Sequence, residues 1–169
     1  METTALVFRP RSTWRGLVSC LVVAVAVGLP LVLIATRRPP SGTGWIPLML
    51  GGALVLAMLY FAAILPTMRY VVTATDLELR CGPFCWTIPI DAIESVSESN
   101  LGFLPWSDGL KLPGYTLFTI RYSDAGSVRM CATAVTSRIV LVKTKDWVWG
   151  VTPDDVPSFV QALGARRGR

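Results

Sequence analysis

Two uncharged apolar stretches near the N-terminus constrain this chain more than any other feature. Between Arg15 and Arg37 stand 21 residues without a charge, mostly Leu, Val and Ala. No charge occurs between Arg38 and Arg69 either, and residues 46–67 are apolar through most of their length. A helix of about 20 apolar residues crosses a hydrocarbon core of roughly 30 Å. Each stretch therefore predicts a membrane-spanning helix, the first over residues 17–36 and the second over residues 46–67. Pro30 lies inside the first, where a kink is tolerated. A cleaved signal peptide is the competing reading of that segment. Against it stand the segment's length, the lack of a clear small-x-small cleavage site, and the second apolar stretch close behind. Residues 37–45 form a short loop rich in turn-forming Pro, Ser and Gly, and Trp45 stands at the expected interface.

Neither span contains Asp, Glu, Lys or Arg. Intramembrane ionisable residues usually mark ion and substrate paths. With only two helices the pair reads as an anchor and not as a transporter, though an oligomeric channel stays open. Gly28, Gly51, Gly52, Ala53 and Ala57 either allow close helix contact or carry no specific meaning, since glycine is common in membrane helices.

Charge follows the same division. Only 16% of residues are charged, against about 25% in soluble domains. Residues 1–69 hold six arginines and one acid, a net +5, whereas residues 70–169 hold ten bases and ten acids. The basic balance thus belongs to the membrane part. No nucleic-acid footprint is present on the folded part, which would need clustered Lys and Arg there. Arg9, Arg11, Arg15 and Arg69 flank the outer ends of the spans and outnumber Arg37 and Arg38 in the loop. The positive-inside bias then predicts a multi-pass cell-membrane protein. Its N-terminal segment, residues 1–16, and its C-terminal domain both lie in the cytoplasm.

The chain has no histidine, which removes Ser-His-Asp and Cys-His catalysis and most imidazole-based zinc sites. No catalytic constellation, metal site or cofactor site is expected. Cys20 lies in the first span, apart from Cys81, Cys85 and Cys131. Cys81 and Cys85 bracket a Gly-Pro turn; small apolar strand residues, a disulfide and a lone C-x3-C metal site are the readings that compete.

From Tyr70 the pattern changes to short β-prone runs separated by turns. Strands are predicted at residues 70–73, 77–81, 84–88, 93–97, 115–122, 127–132, 139–143 and 147–151, with a helical turn at residues 89–92. Their spacing suggests an antiparallel meander. Residues 98–114 follow no period; they read as buried loop packing, a partner surface or a segment lying on the bilayer. Val156, Phe159, Val160 and Leu163 recur at one face of a helix, with Asp155 as N-cap, Pro157 in the first turn and Gly164 at the end. The folded domain is placed at residues 69–164, and residues 165–169 form a basic tail.

Two motifs carry a resemblance. One is Tyr70-Val71-Val72-Thr73-Ala74-Thr75-Asp76-Leu77 with Gly82 and Ile88-Pro89-Ile90-Asp91-Ala92-Ile93-Glu94-Ser95-Val96. The other runs from Thr136-Ser137-Arg138 through Trp147-Val148-Trp149-Gly150-Val151-Thr152-Pro153 to the final helix. Their order resembles the bacterial PH-like (pleckstrin-homology-like) domain family, membrane-anchored by two N-terminal helices. The resemblance implies a transmembrane helix hairpin followed by a mainly-β PH-like antiparallel barrel capped by a C-terminal α-helix. It brings no catalytic residues with it. Eukaryotic relatives of the fold bind phosphoinositides through a basic loop between the first two barrel strands. The turn matched to it here, Cys81 to Cys85, has only Arg80 nearby, which counts against inositol-phosphate binding.

The residues singled out as partner or membrane contacts are Leu101, Phe103, Leu104, Trp106, Arg138, Trp147 and Trp149. Structural readings stand beside each: loop packing for the first four, a loop hydrogen bond for Arg138, core packing for the last two. The expected partners are the lipid bilayer, a membrane or cytoplasmic protein, and a second copy of the chain. The expected role is a non-catalytic protein-interaction or assembly module at the membrane. Lipid-surface binding or envelope sensing, and a subunit of a membrane enzyme or transport complex, are the alternatives. An exposed apolar groove would favour the first, a basic and aromatic membrane-facing rim the second, and a deep pocket of carboxylates an enzyme.

Overall fold

The computed structural model describes residues 5–12, 14–37, 42–102, 109–112 and 115–167. Helix α1 (Trp14–Arg37) and helix α2 (Trp45–Ile64) form a hairpin. Only 11% and 22% of their most apolar windows are buried, the reverse of a soluble core helix. Val22, Val25, Val32, Met49, Leu50 and Leu56 all project outward, a surface suited to lipid. Where the helices touch, glycine matters. A Cβ on Gly51 would come within 2.5 Å of Leu31 Cδ1, and one on Gly28 within 3.5 Å of Val55. Gly52 faces open space, so the close-contact reading applies to two of the three glycines.

The N-terminal segment does more than precede helix α1. Strand β1 (Leu6–Phe8) pairs antiparallel with β2 (Arg69–Val72), Leu6 opposite Val72 and Phe8 opposite Tyr70. The chain just before the first helix thus meets the chain just after the second, and both lie at the same end of the hairpin. Strands β3 (Asp76–Cys81) and β4 (Phe84–Pro89) complete a four-stranded sheet. Gly82, at φ +55°, and Pro83 make the two-residue turn between them. Cys81 is buried and Cys85 exposed; they do not pair, and all four cysteines are free thiols.

A 3-10 turn, Ile90–Ala92, leads into the second sheet. Its order is β5 (Ile93–Ser99), β9 (Ile139–Thr144), β10 (Val148–Val151), β8 (Gly126–Ala132), β7 (Tyr115–Tyr122) and β6 (Leu110–Leu112). The expected antiparallel meander is corrected here. Strand β10 is antiparallel to β9 but parallel to β8, because it inserts between them. The expected barrel is corrected too: among the described residues the two sheets do not join into a closed barrel. A register shift in β5 between Ile93 and Ser95 lets both Ile93 and Val96 reach the core, which strict alternation would forbid.

Helix α3 (Val156–Arg167) buries Val156, Phe159 and Leu163 against Tyr70, Val72, Leu77 and Leu79. Asp155 caps it, its Oδ1 accepting from the Ser158 N–H at 3.1 Å. The Ser158 hydroxyl and, after it, the Ser158 N–H hold the Asp155 carboxyl below its ordinary range. The helix does not stop at Gly164. It runs on to Arg167, and the arginines assigned to a tail bind the domain: Arg166 donates to the Val72 and Thr73 carbonyls, and Arg167 to the Glu94 carbonyl.

Tyr70 ties the sheets together. Its fully buried hydroxyl donates to the Cys131 carbonyl at 2.8 Å and accepts from the Thr152 N–H at 3.3 Å. The N-terminal segment reinforces the seam, with Arg11 N–H on the Thr152 carbonyl and Asp154 N–H on the Arg9 carbonyl. Phe8 packs edge-on against Phe159 at 5.3 Å. Burial holds the Tyr70 hydroxyl well above the tyrosine range and pushes Tyr122 up from 10.0 to about 12.

Tyr70→Phe leaves a buried carbonyl and a buried N–H without their partner. It is expected to cost about 1–3 kcal/mol in unfolding of the purified chain in detergent. Tyr122→Phe, which frees only the part-buried Val135 carbonyl, should cost less. Both hydroxyls ionise less readily when folded. The stability they contribute is therefore full below pH 10 and lost for Tyr122 as pH climbs to about 12. Unfolding midpoints that stay flat above pH 10 would contradict this.

Candidate binding surfaces

The open seam between the two sheets makes a groove. Trp86 stands on β4; Phe118 and Thr119 on β7; Arg129 and Met130 on β8; Trp149 on β10. Together they line a hollow of about 250 Å³. Trp86 and Trp149 face each other at 6.2 Å, and Phe84 stacks on Trp86 at 6.0 Å. The Arg129 guanidinium lies 3.5 Å from the Trp147 ring centre and 5.3 Å from that of Trp149. Each ring face attracts the cation. Among the described residues the Arg129 guanidinium makes these ring contacts and no hydrogen bond. Its N–H edges are left for an acceptor from outside.

Phe118 is the anomaly of the groove. Its register partner Met130 belongs to the second core, with Ile120, Tyr122 and Val128. Phe118 instead adopts φ +71°, and its ring meets Phe84 edge-on at 5.3 Å. It is 42% exposed. A bulky residue at positive φ in mid-strand is strained, and here the strain turns an aromatic ring to the mouth of the groove.

A larger hollow, about 1070 Å³, opens at the membrane end. Val7, Arg9 and Pro10 line it from the N-terminal segment, Pro66, Thr67 and Met68 from the chain leaving α2, and Arg69, Arg80, Gly82 and Cys85 from the first sheet. A third hollow holds Asp76 and Asp91 beside Arg166 and Arg167.

Trp147 and Trp149 share a face, with Arg129 between them; Trp147 is 41% exposed and Trp149 only 7%. Leu101 is buried in the second core, so its side chain is packing and not a contact surface. Arg138, at φ +49°, holds a loop: its N–H donates to Asn100 Oδ1 at 2.8 Å and its Nε to Glu98 Oε1 at 3.0 Å. Phe103, Leu104 and Trp106 lie outside the described residues. Sequence reasoning missed Arg129, Phe118, Trp86 and the arginines of the membrane-end hollow. Alternation placed Trp147 and Trp149 on one face, but only strand order brings Arg129 and Trp86 to them.

Two sheets meeting at an open seam, with one helix packed across it, form a PH-like fold. Residues 68–167 match the family model for the bacterial PH domain, and the chain belongs to that family. No curated protein and no solved structure matches it.

Removing the Phe118 ring separates strain from packing. At φ +71° any L side chain costs about 1–2 kcal/mol. Phe118→Gly should therefore melt higher than Phe118→Ala by about 1 kcal/mol, the reverse of the usual strand order. Equal or inverted midpoints would remove the strain argument.

Proposed function

We propose that this chain is a membrane-anchored, non-catalytic interaction module whose PH domain docks a protein segment in the groove between β4 and the six-stranded sheet. The observation that carries this is the exposed, strained Phe118 beside an Arg129 guanidinium stacked on two tryptophans. Aromatic anchors with arginine are the residues that dominate protein interfaces. The fitting occupant presents an apolar side chain to Trp86 and Phe118 and a carboxylate or carbonyl to Arg129. Asp76 and Asp91 sit beside two arginines away from the groove, an arrangement suited to structure more than to acid–base work.

Crosslinking in native membranes from a photoreactive residue at Trp147 tests the groove. One stoichiometric partner is expected, joined through a segment of that chemistry. Phe118→Gly and Trp86→Ala in the same background should each lower its recovery about tenfold. No partner, or recovery indifferent to both variants, sinks the reading.

The charge flanking the spans supports a cytoplasmic side for the domain. Arg9, Arg11, Arg15 and Arg69 share the end of the hairpin that β1 and β2 hold together. A cytoplasm-dependent reporter fused after Arg169 should be active; activity only from a reporter that needs export would reverse the orientation.

A further inference from the structure

The hollow where the helix hairpin meets the domain is lined by arginines and not by the aromatic rings of the groove. Strand register explains why. Arg69 stands directly opposite Arg80 on β3, and Arg80 opposite Cys85 on β4. On the other side, Phe8 stands opposite Tyr70, and Arg9 is the residue that follows it as Arg69 is the one that precedes Tyr70. Arg69, Arg80 and Cys85 form one row across three adjacent strands, Arg9 follows directly after β1 beside Arg69, and all four line the hollow. Like charges directly opposite each other on neighbouring strands repel. One of the three is answered: Glu78 Oε2 lies 2.6 Å from the Arg80 guanidinium. For Arg9 and Arg69 no side-chain hydrogen bond or ion pair is made among the described residues. The site is left with two positive charges that no carboxylate answers among the described residues.

Its position says where an anion would come from. Pro66, Thr67 and Met68 line the hollow immediately after α2 ends, and Pro10 stands four residues before α1 begins. Both walls therefore lie where the membrane helices meet the folded domain, at headgroup depth. Guanidinium groups pair with phosphate oxygens through two parallel N–H bonds, and juxtamembrane arginines attract anionic lipid.

We propose that this hollow is a binding site for the phosphate group of an anionic phospholipid, held between Arg9 and Arg69 with Arg80 at its side. Val7, Arg9, Pro10, Pro66 and Thr67 all lie before the matched family range of 68–167. The site therefore belongs to the anchored chain and is not built by the PH domain alone. It is separate from the aromatic groove, and its occupancy does not depend on a protein partner.

The test uses the full chain in detergent micelles, with melting temperature read while phosphatidylglycerol, phosphatidylcholine or inorganic phosphate is titrated. Phosphatidylglycerol should raise the melting point saturably, phosphatidylcholine should not, and inorganic phosphate should neither reproduce nor abolish the effect. Arg9→Gln with Arg69→Gln should move the phosphatidylglycerol midpoint roughly 25-fold, about fivefold for each arginine removed. Arg121→Gln, an exposed arginine outside the hollow, should leave it unchanged. Should the double glutamine variant fold poorly, Arg9→Lys with Arg69→Lys keeps the charge and should retain most of the response. Stabilisation by inorganic phosphate that erases the lipid effect would assign the site to a soluble anion. An equal shift from Arg121→Gln would reduce it to general charge attraction. Either result, or no response to phosphatidylglycerol, overturns the proposal.

Discussion

The pairing of Leu6–Phe8 with Tyr70–Val72 is the constraint on which the rest of the structure depends. It closes the chain around two helices long and apolar enough to cross a membrane, so the hairpin and the domain are not independent bodies joined by a linker. The packing of α1 on α2, through Gly51 against Leu31, brings the two chain ends to the same side of the hairpin. The closure entropy of the intervening chain is then borne by helix association. Once β1 has paired, residues 9–11 run on to Thr152 and Asp154 and stitch the first sheet to the end of β10. Cys20 and Ala62 of the helices share one buried cluster with Tyr70 and Phe159. The membrane end and the domain core are continuous.

Much of this was legible and some was not, for physical reasons. The spans were legible because twenty uncharged residues leave few alternatives. The hairpin at Gly82-Pro83, the 3-10 turn at Ile90 and the Asp155 cap were legible because turn and cap chemistry is local. Strand β1 was not, since three residues offer no period to read, and its partner lies beyond both helices. The parallel pairing of β10 with β8 was hidden for the same reason: strand order is a long-range property, and spacing alone favours a meander. Gly164 misled because glycine ends a helix only where the chain turns left-handed. Here Arg166 and Arg167 find carbonyls on the domain, and the helix continues to reach them. Of the candidate contacts, alternation placed Trp147 and Trp149 on one face. Leu101 looked available because its loop follows no period, yet its side chain fills the second core.

The aromatic groove follows from the same long-range order. A closed barrel would hide Trp86 against a neighbouring strand. With β4 at the edge of its sheet, Trp86 and Phe84 instead look across the seam toward β7, β8 and β10. Ring contacts between Trp86 and Trp149, and between Phe84 and Phe118, fill the seam only in part. An all-apolar lining would collapse or aggregate. Arg129 instead places a charge on the tryptophan faces, beside the flat apolar area of the rings.

Where the groove begins matters as much as what lines it. A Cβ on Gly82 would come within 2.8 Å of Ile64, so the β3–β4 turn rests on the end of α2, and Phe84 follows it by two residues. The lower end of the groove therefore starts close to the end of α2 and rises along β4 through Trp86 to Arg129. Arg80 lies on the same β3–β4 hairpin, and Arg69 of β2 and Arg9 beyond β1 line the hollow beside it. Under the proposed readings, a headgroup held there would fix the tilt of the domain on the membrane, and with it the height of the groove mouth. A partner confined to the same bilayer then meets the groove in a narrow range of orientations. Its effective concentration is set by that geometry more than by any single contact. A tethered module can for this reason work with a modest groove, whereas the same hollow on a freely diffusing domain would be a weak site.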